Sequence, residues 1–198
     1  VLVVAALVAI GFVVFGGAAK PALAAPIQRQ YDYAMKHWDS YNLKKYGDLN
    51  VDGGDCANFV SQTLVARGWK MNSAWHNNNA AADWTPAWGY VPSMQDYFTA
   101  NATQLGLTEY PLDKRSKIRV GDLVMFDFTN DGTLDHVEMV SKVEKVDGKI
   151  EIKMSGHNKN TKYSDLDGVL QRYPKAVGHF WHVALPPTAS PTPSSKPA

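Results

Sequence analysis

DGGDCANFVSQTL, residues 52–64, sets a glycine-rich turn directly before Cys56, the single cysteine of the 198-residue chain. Beyond the turn, Cys56, Phe59, Val60, Thr63 and Leu64 recur at helical spacing until Gly68 stops the run. Cys56 therefore stands at the start of a buried helix. A helix start presents unpaired backbone N–H groups and the positive end of the dipole, the setting in which thiols act as nucleophiles.

Working outward, residues 27–46 place Tyr31, Ala34, Met35, Trp38 and Tyr41 near one stripe, which predicts a core helix. DLNVDGG at 48–54 is turn-forming. Residues 69–98 carry Trp69, Trp75, Trp84 and Trp88 among Asn and Pro with little periodicity, which predicts a long aromatic loop and a short helix at about 91–100. Its tryptophans either line a groove or pack as a lid on a small core. Trp75, Trp84 and Trp88, with Asp55 and Asn158, are the candidate substrate contacts.

The second half has β patterning. Val120-Gly121-Asp122 leads into LVMFDF, then HVEMVSKVEKV and KIEIKMS alternate on either side of Asp147-Gly148, a strong hairpin turn. A Cys-bearing helix packed on an antiparallel sheet, an α+β fold, is the expected architecture. If Asp147-Gly148 is a two-residue loop, counting outward sets His136 opposite Lys159 and His157 opposite Glu138. The two histidines then share one face, roughly 5 to 8 Å apart. A one-residue bulge would undo that register.

A thiol at a helix start, an imidazole opening a strand and a further polar group on the next strand are the parts of a thiol hydrolase. Cys56 is the candidate nucleophile, His136 the base and His157 the residue that fixes the tautomer of His136. The Cys56 backbone N–H is the candidate oxyanion donor. Asp55, Tyr46 and Asn58 lie near it in sequence, and none stands out as a second donor.

DGGDCANFVSQTL, GDLVMFDF, DHVEMVS and SGHNKN, in that order, resemble the blocks of the bacterial "Putative amidase domain" family over about residues 31–182. The resemblance implies a papain-like fold related to the CHAP and NlpC-type cell-wall peptidases. It also implies Cys56, His136 and His157 as the catalytic set, and cleavage of amide bonds in peptidoglycan. The long gap between His136 and His157 makes Asn158 a fallback for the orienting role.

Composition narrows the setting. Lys and Arg number 20 against 19 Asp and Glu, so no charge excess points to nucleic acid. Residues 1–19 carry no charge, and Ala22-Leu23-Ala24 supplies a small-x-small pattern. Residues 1–24 therefore read as a signal peptide or an N-terminal membrane anchor, and the protein as secreted or held at the cell surface. The domain is expected over 27–185, with a Pro/Ser/Thr-rich disordered tail at 186–198. The partner is a peptidoglycan or other peptide substrate and the chain a monomer, with no cofactor.

Three other constellations stand in the sequence. His179 and His182 read as structural rather than zinc ligands. Asp127, Thr129, Asp131, Gly132 and Glu138 fit a calcium loop tolerably, and Asp48, Asn50 and Asp52 its first half, but ordinary turns explain both. Beside hydrolysis stand two alternatives, a non-catalytic wall-binding module and a thioester-forming acyltransferase.

Overall fold

The computed structural model describes residues 22–185, so the tail at 186–198 and nearly all of the leader at 1–24 lie outside the described residues. Six helices run α1 (Ala25–His37), α2 (Leu43–Tyr46), α3 (Cys56–Arg67), α4 (Pro86–Gly89), α5 (Val91–Leu105) and α6 (Leu166–Arg172). Six strands run β1 (Leu107–Pro111), β2 (Leu123–Asp127), β3 (His136–Val146), β4 (Lys149–Gly156), β5 (Thr161–Asp165) and β6 (Val177–Val183). They form one antiparallel sheet in the order β1-β6-β2-β3-β4-β5. The chain is α+β, with the cysteine-bearing helix packed on the sheet. Among the described residues no helix is long and apolar enough to cross a membrane.

Strand β2, LVMFD, is apolar almost without alternation because both of its faces are covered. Leu123 and Met125, with Val137 and Met139 of β3, pack in a core with Phe59, Val60 and Leu64 of α3. Val124 and Phe126 face the other way, into a smaller core with Ile152, Met154, Phe180 and Leu166. Pro111 ends β1, which lies at the sheet edge where a missing N–H costs no ladder bond.

Helix α3 is buried nearly all round, as befits a central helix. Its polar side chains are paired inside the protein. Trp88 Nε1 donates to Asn58 Oδ1 (2.7 Å), Ser61 Oγ to the Trp88 carbonyl (2.9 Å) and the Tyr33 hydroxyl to Gln62 Oε1 (2.7 Å). The helix stops at Gly68, as its sequence predicts.

Two expectations need correction. The single helix over 27–46 breaks after His37. Asp39, Ser40 and Asn42 favour turns over helix interiors, the Ser40 carbonyl bonds the His37 ring (2.7 Å), and the chain restarts as the one-turn α2. The hairpin obeys its expected register from Val146↔Lys149 to Lys142↔Lys153, then shifts by one at Ser141, so that Val140 pairs with Met154 and Met139 with Ser155. Continuing that shifted count sets His157 level with Val137, on the α3 side. His136, level with Phe126, faces the other way.

Candidate active site

Cys56 is the first residue of α3, only 4% exposed, and its approach is fixed by the preceding turn. Gly54 has φ +134, and a Cβ there would lie 2.8 Å from the Asn158 amide nitrogen, so only glycine lets the β4–β5 loop close over the turn. Asn158 Oδ1 in turn accepts from the Asp55 backbone N–H (2.6 Å). Asp55 is fully buried. Its Oδ1 accepts from the Leu49 N–H (2.8 Å) and Asn58 Nδ2 (2.7 Å), and its Oδ2 bonds His157 Nδ1.

His136 opens β3 at the end of the sheet, close enough to Cys56 for the sulfur to raise the pKa of the ring. On its other side, Nε2 lies 3.6 Å from Glu138 Oε1. Two residues apart on a strand, His136 and Glu138 share a face. Glu138 is 3% exposed, and its Oε1 accepts from the Thr161 hydroxyl (2.6 Å). A Cβ on Gly156 would stand 2.8 Å from Glu138 Cγ, so glycine leaves the space that the carboxylate side chain occupies.

Burial works against a charged imidazole at His136. The hydrogen bonds and charges of Cys56 and Glu138 outweigh it and raise the His136 pKa from 6.5 to about 10. At neutral pH the ring is therefore an imidazolium between a sulfur and a carboxylate. It can pair with a thiolate and deliver a proton to a leaving group.

His157 does not take the orienting role expected for it. Nδ1 is held by Asp55 and Nε2 donates to the His37 carbonyl (2.8 Å), so no ring nitrogen is left for His136. The ring stacks on Tyr41 (3.9 Å between centroids) and packs on Phe59 (4.2 Å), with no exposed side-chain surface. The Ser141 bulge is the cause, because it turns His157 to the face opposite His136. The histidine instead braces the turn before Cys56. Glu138 occupies the expected place, and its signal in the sequence is the His-x-Glu spacing of HVE at 136–138.

Of the candidate substrate contacts, Asp55 is corrected to an internal strut. Trp75 and Trp88 are fully buried core residues, Trp75 Nε1 donating to Ser61 Oγ (3.1 Å), because two indoles fill the space over α3 that a groove would need. Trp84 is half-buried beside Gly89. Asn158 is exposed and lines a cavity of about 290 Å³ together with His136, Glu138, Phe128, Lys159 and Tyr173. Asn58 Nδ2 serves Asp55 and the Tyr46 carbonyl (3.4 Å), so it is turned inward rather than toward an oxyanion.

The calcium and zinc alternatives meet residues already engaged. Asp127 accepts from the backbone N–H groups of Thr129, Asn130, Asp131 and Gly132, and Asp48 from that of Asn50, which are turn caps. His182 Nδ1 bonds Asp122, and His179 Nε2 bonds Gln95 Oε1 (3.0 Å). Among the described residues no cluster of three or more His, Cys, Asp or Glu is placed to hold a metal ion.

Fold and cluster together define an α+β domain built around a cysteine–histidine–glutamate constellation at a helix start. The chain belongs to the "Putative amidase domain" family, which matches residues 26–181, and amide hydrolysis is the class of chemistry that membership supports. It is 28% identical over 130 residues to "Uncharacterized protein YhbB" of Bacillus subtilis (strain 168), an alignment covering 59% of this chain. The matched part is 39% of that relative's length. No solved structure matches the chain.

Proposed function

We propose that this domain is an exported cysteine amidase or peptidase that hydrolyses amide bonds in peptidoglycan peptides, with Cys56 as nucleophile, His136 as acid and base, and Glu138 as the residue that positions His136. The observation that carries the reading is His136 set 3.6 Å from the Glu138 carboxylate and within electrostatic reach of Cys56 at the start of α3. Kinship with papain-like enzymes is part of the same inference, supported by a cysteine-bearing helix on an antiparallel sheet.

The Cys56 thiolate attacks the amide carbon, and the backbone N–H of Cys56, which has no intrahelical acceptor at a first-turn position, donates to the oxyanion. The His136 imidazolium gives its proton to the leaving nitrogen as the C–N bond breaks, leaving a thioester. Neutral His136 then takes a proton from water, whose oxygen attacks the thioester, and the C–S bond breaks to release the acid and restore the thiolate beside the imidazolium. Glu138 holds the ring between these roles.

The test is digestion of purified sacculi by the wild type and by Cys56→Ala, with new termini identified by mass spectrometry. New amine and carboxyl termini in the wild-type digest alone are expected. Identical digests would remove the assignment, and products joined to an added amine in place of free carboxylates would move it to acyl transfer.

A further inference from the structure

The cavity of about 290 Å³ beside His136 includes that ring in its wall but not Cys56. In amide cleavage by a thiol, the part of the substrate that needs the imidazole and not the sulfur is the leaving amine, which must receive a proton. The cavity therefore lies on the leaving-group side, an inference that rests on the hydrolase reading above.

Its polar wall is unequal. Of the two carboxylates, Glu138 is committed to His136 and the Thr161 hydroxyl, and Asp135 accepts from the Phe128 backbone N–H (2.7 Å). Of the two cations besides the His136 ring, Lys159 spends one of its three hydrogens on the Tyr173 hydroxyl (2.9 Å), and Arg172 has no hydrogen-bond or ion-pair partner among the described residues. The Tyr173 hydroxyl registers the imbalance. The Lys159 hydrogen bond, then the charges of Lys159, Arg172 and His136, hold its pKa below the ordinary tyrosine value.

We propose that Lys159, Arg172 and Tyr173 form a subsite for a carboxylate carried by the residue on the amine side of the cleaved bond. Phe128 and Phe126 supply an apolar wall for the carbon chain, and the volume suits one amino-acid residue rather than an extended peptide. The shared chemistry is a carboxylate, either the C-terminal group of that residue or an acidic side chain. Lys159 and Arg172 act on binding; the proton transfer belongs to His136.

The test uses the Cys56→Ala protein, which can bind without cleaving, and three probes in calorimetry. N-acetyl-alanyl-alanine carries a C-terminal carboxylate, N-acetyl-alanyl-glutamic acid amide carries one on its side chain, and N-acetyl-alanyl-glutamine amide carries neither. At least one carboxylate probe is expected to bind about tenfold tighter than the neutral one, and which one identifies the source. Adding Lys159→Met and Arg172→Met, both at exposed positions, is expected to remove that advantage. Equal or absent binding of all three probes, or an advantage that survives the double change, overturns the subsite. The sacculus digestion judges the hydrolase reading independently, so cleavage by the wild type without carboxylate preference discards the subsite alone.

Discussion

Glu138 is the residue set beside His136, since both ring nitrogens of His157, which the sequence suggests for that place, are already held by Asp55 and the His37 carbonyl. Replacing Cys56 or His136 by Ala is expected to cost activity by a factor on the order of 10² to 10⁴ or more while the protein stays folded. Glu138→Gln is expected to lower kcat with little effect on KM and to move the alkaline limb of the pH profile to lower pH, because one source of the raised His136 pKa is gone. A merely structural Glu138 would leave that limb in place. His157→Ala predicts the reverse pattern. It strands the Asp55 carboxylate in a fully buried site, a loss of about 3 kcal/mol or more in denaturant unfolding.

At the scale of elements, two features decide which residue braces His136: the bulge at Ser141, which turns His157 to the other face, and the bare backbone at Gly156, which leaves room for Glu138. Gly156→Ala places a Cβ 2.8 Å from Glu138 Cγ, and the flexible carboxylate arm, not the backbone, is what can give way. Activity assays should therefore show a loss resembling that of Glu138→Gln, with a melting temperature changed far less than by His157→Ala. The elements themselves were unevenly legible. The spacing of Cys56, Phe59, Val60, Thr63 and Leu64 marked α3, and Asp147-Gly148 marked the hairpin, because both signals are local. The bulge was illegible, since alternation continues on either side of Ser141 and one extra residue leaves no mark in composition. That slip cost the reading His157 and hid Glu138. The tryptophans failed for another reason. Aromatic content says that area is buried, but only packing says whether protein or substrate buries it, and Trp75 and Trp88 are closed over by α3 and α5. Strands β1, β5 and β6 went unseen because their alternation is broken by Pro, Lys and His that edge positions or Asp122 accommodate.

Across the whole molecule, the charge on His136 links folding to pH. Its pKa is raised from 6.5 to about 10 on folding, so the folded state binds the proton more tightly than the unfolded chain. The resulting stabilisation is present in full below pH 6.5 and is lost as pH rises toward 10. Melting curves between pH 6 and 10 are expected to fall more steeply for the wild type than for His136→Gln, which lacks the titrating ring. Parallel curves would separate the ring from the stability of the domain. The pair at the helix start is also what joins the two cores. Cys56, at the start of α3, packs in the larger one, and His136 stands beside Phe126 and Phe128 at the border of the smaller. The site therefore depends on the sheet being covered on both faces.

Imidazole ¹⁵N resonances of His136, followed by NMR across pH, test the central claim most directly. The ring is expected to remain an imidazolium beyond neutral pH and to lose its proton near pH 10, with the midpoint falling toward the ordinary histidine value in Cys56→Ala and in Glu138→Gln. A midpoint near 6.5 in the wild type, or one indifferent to the loss of Cys56, would contradict the cysteine–histidine–glutamate cluster.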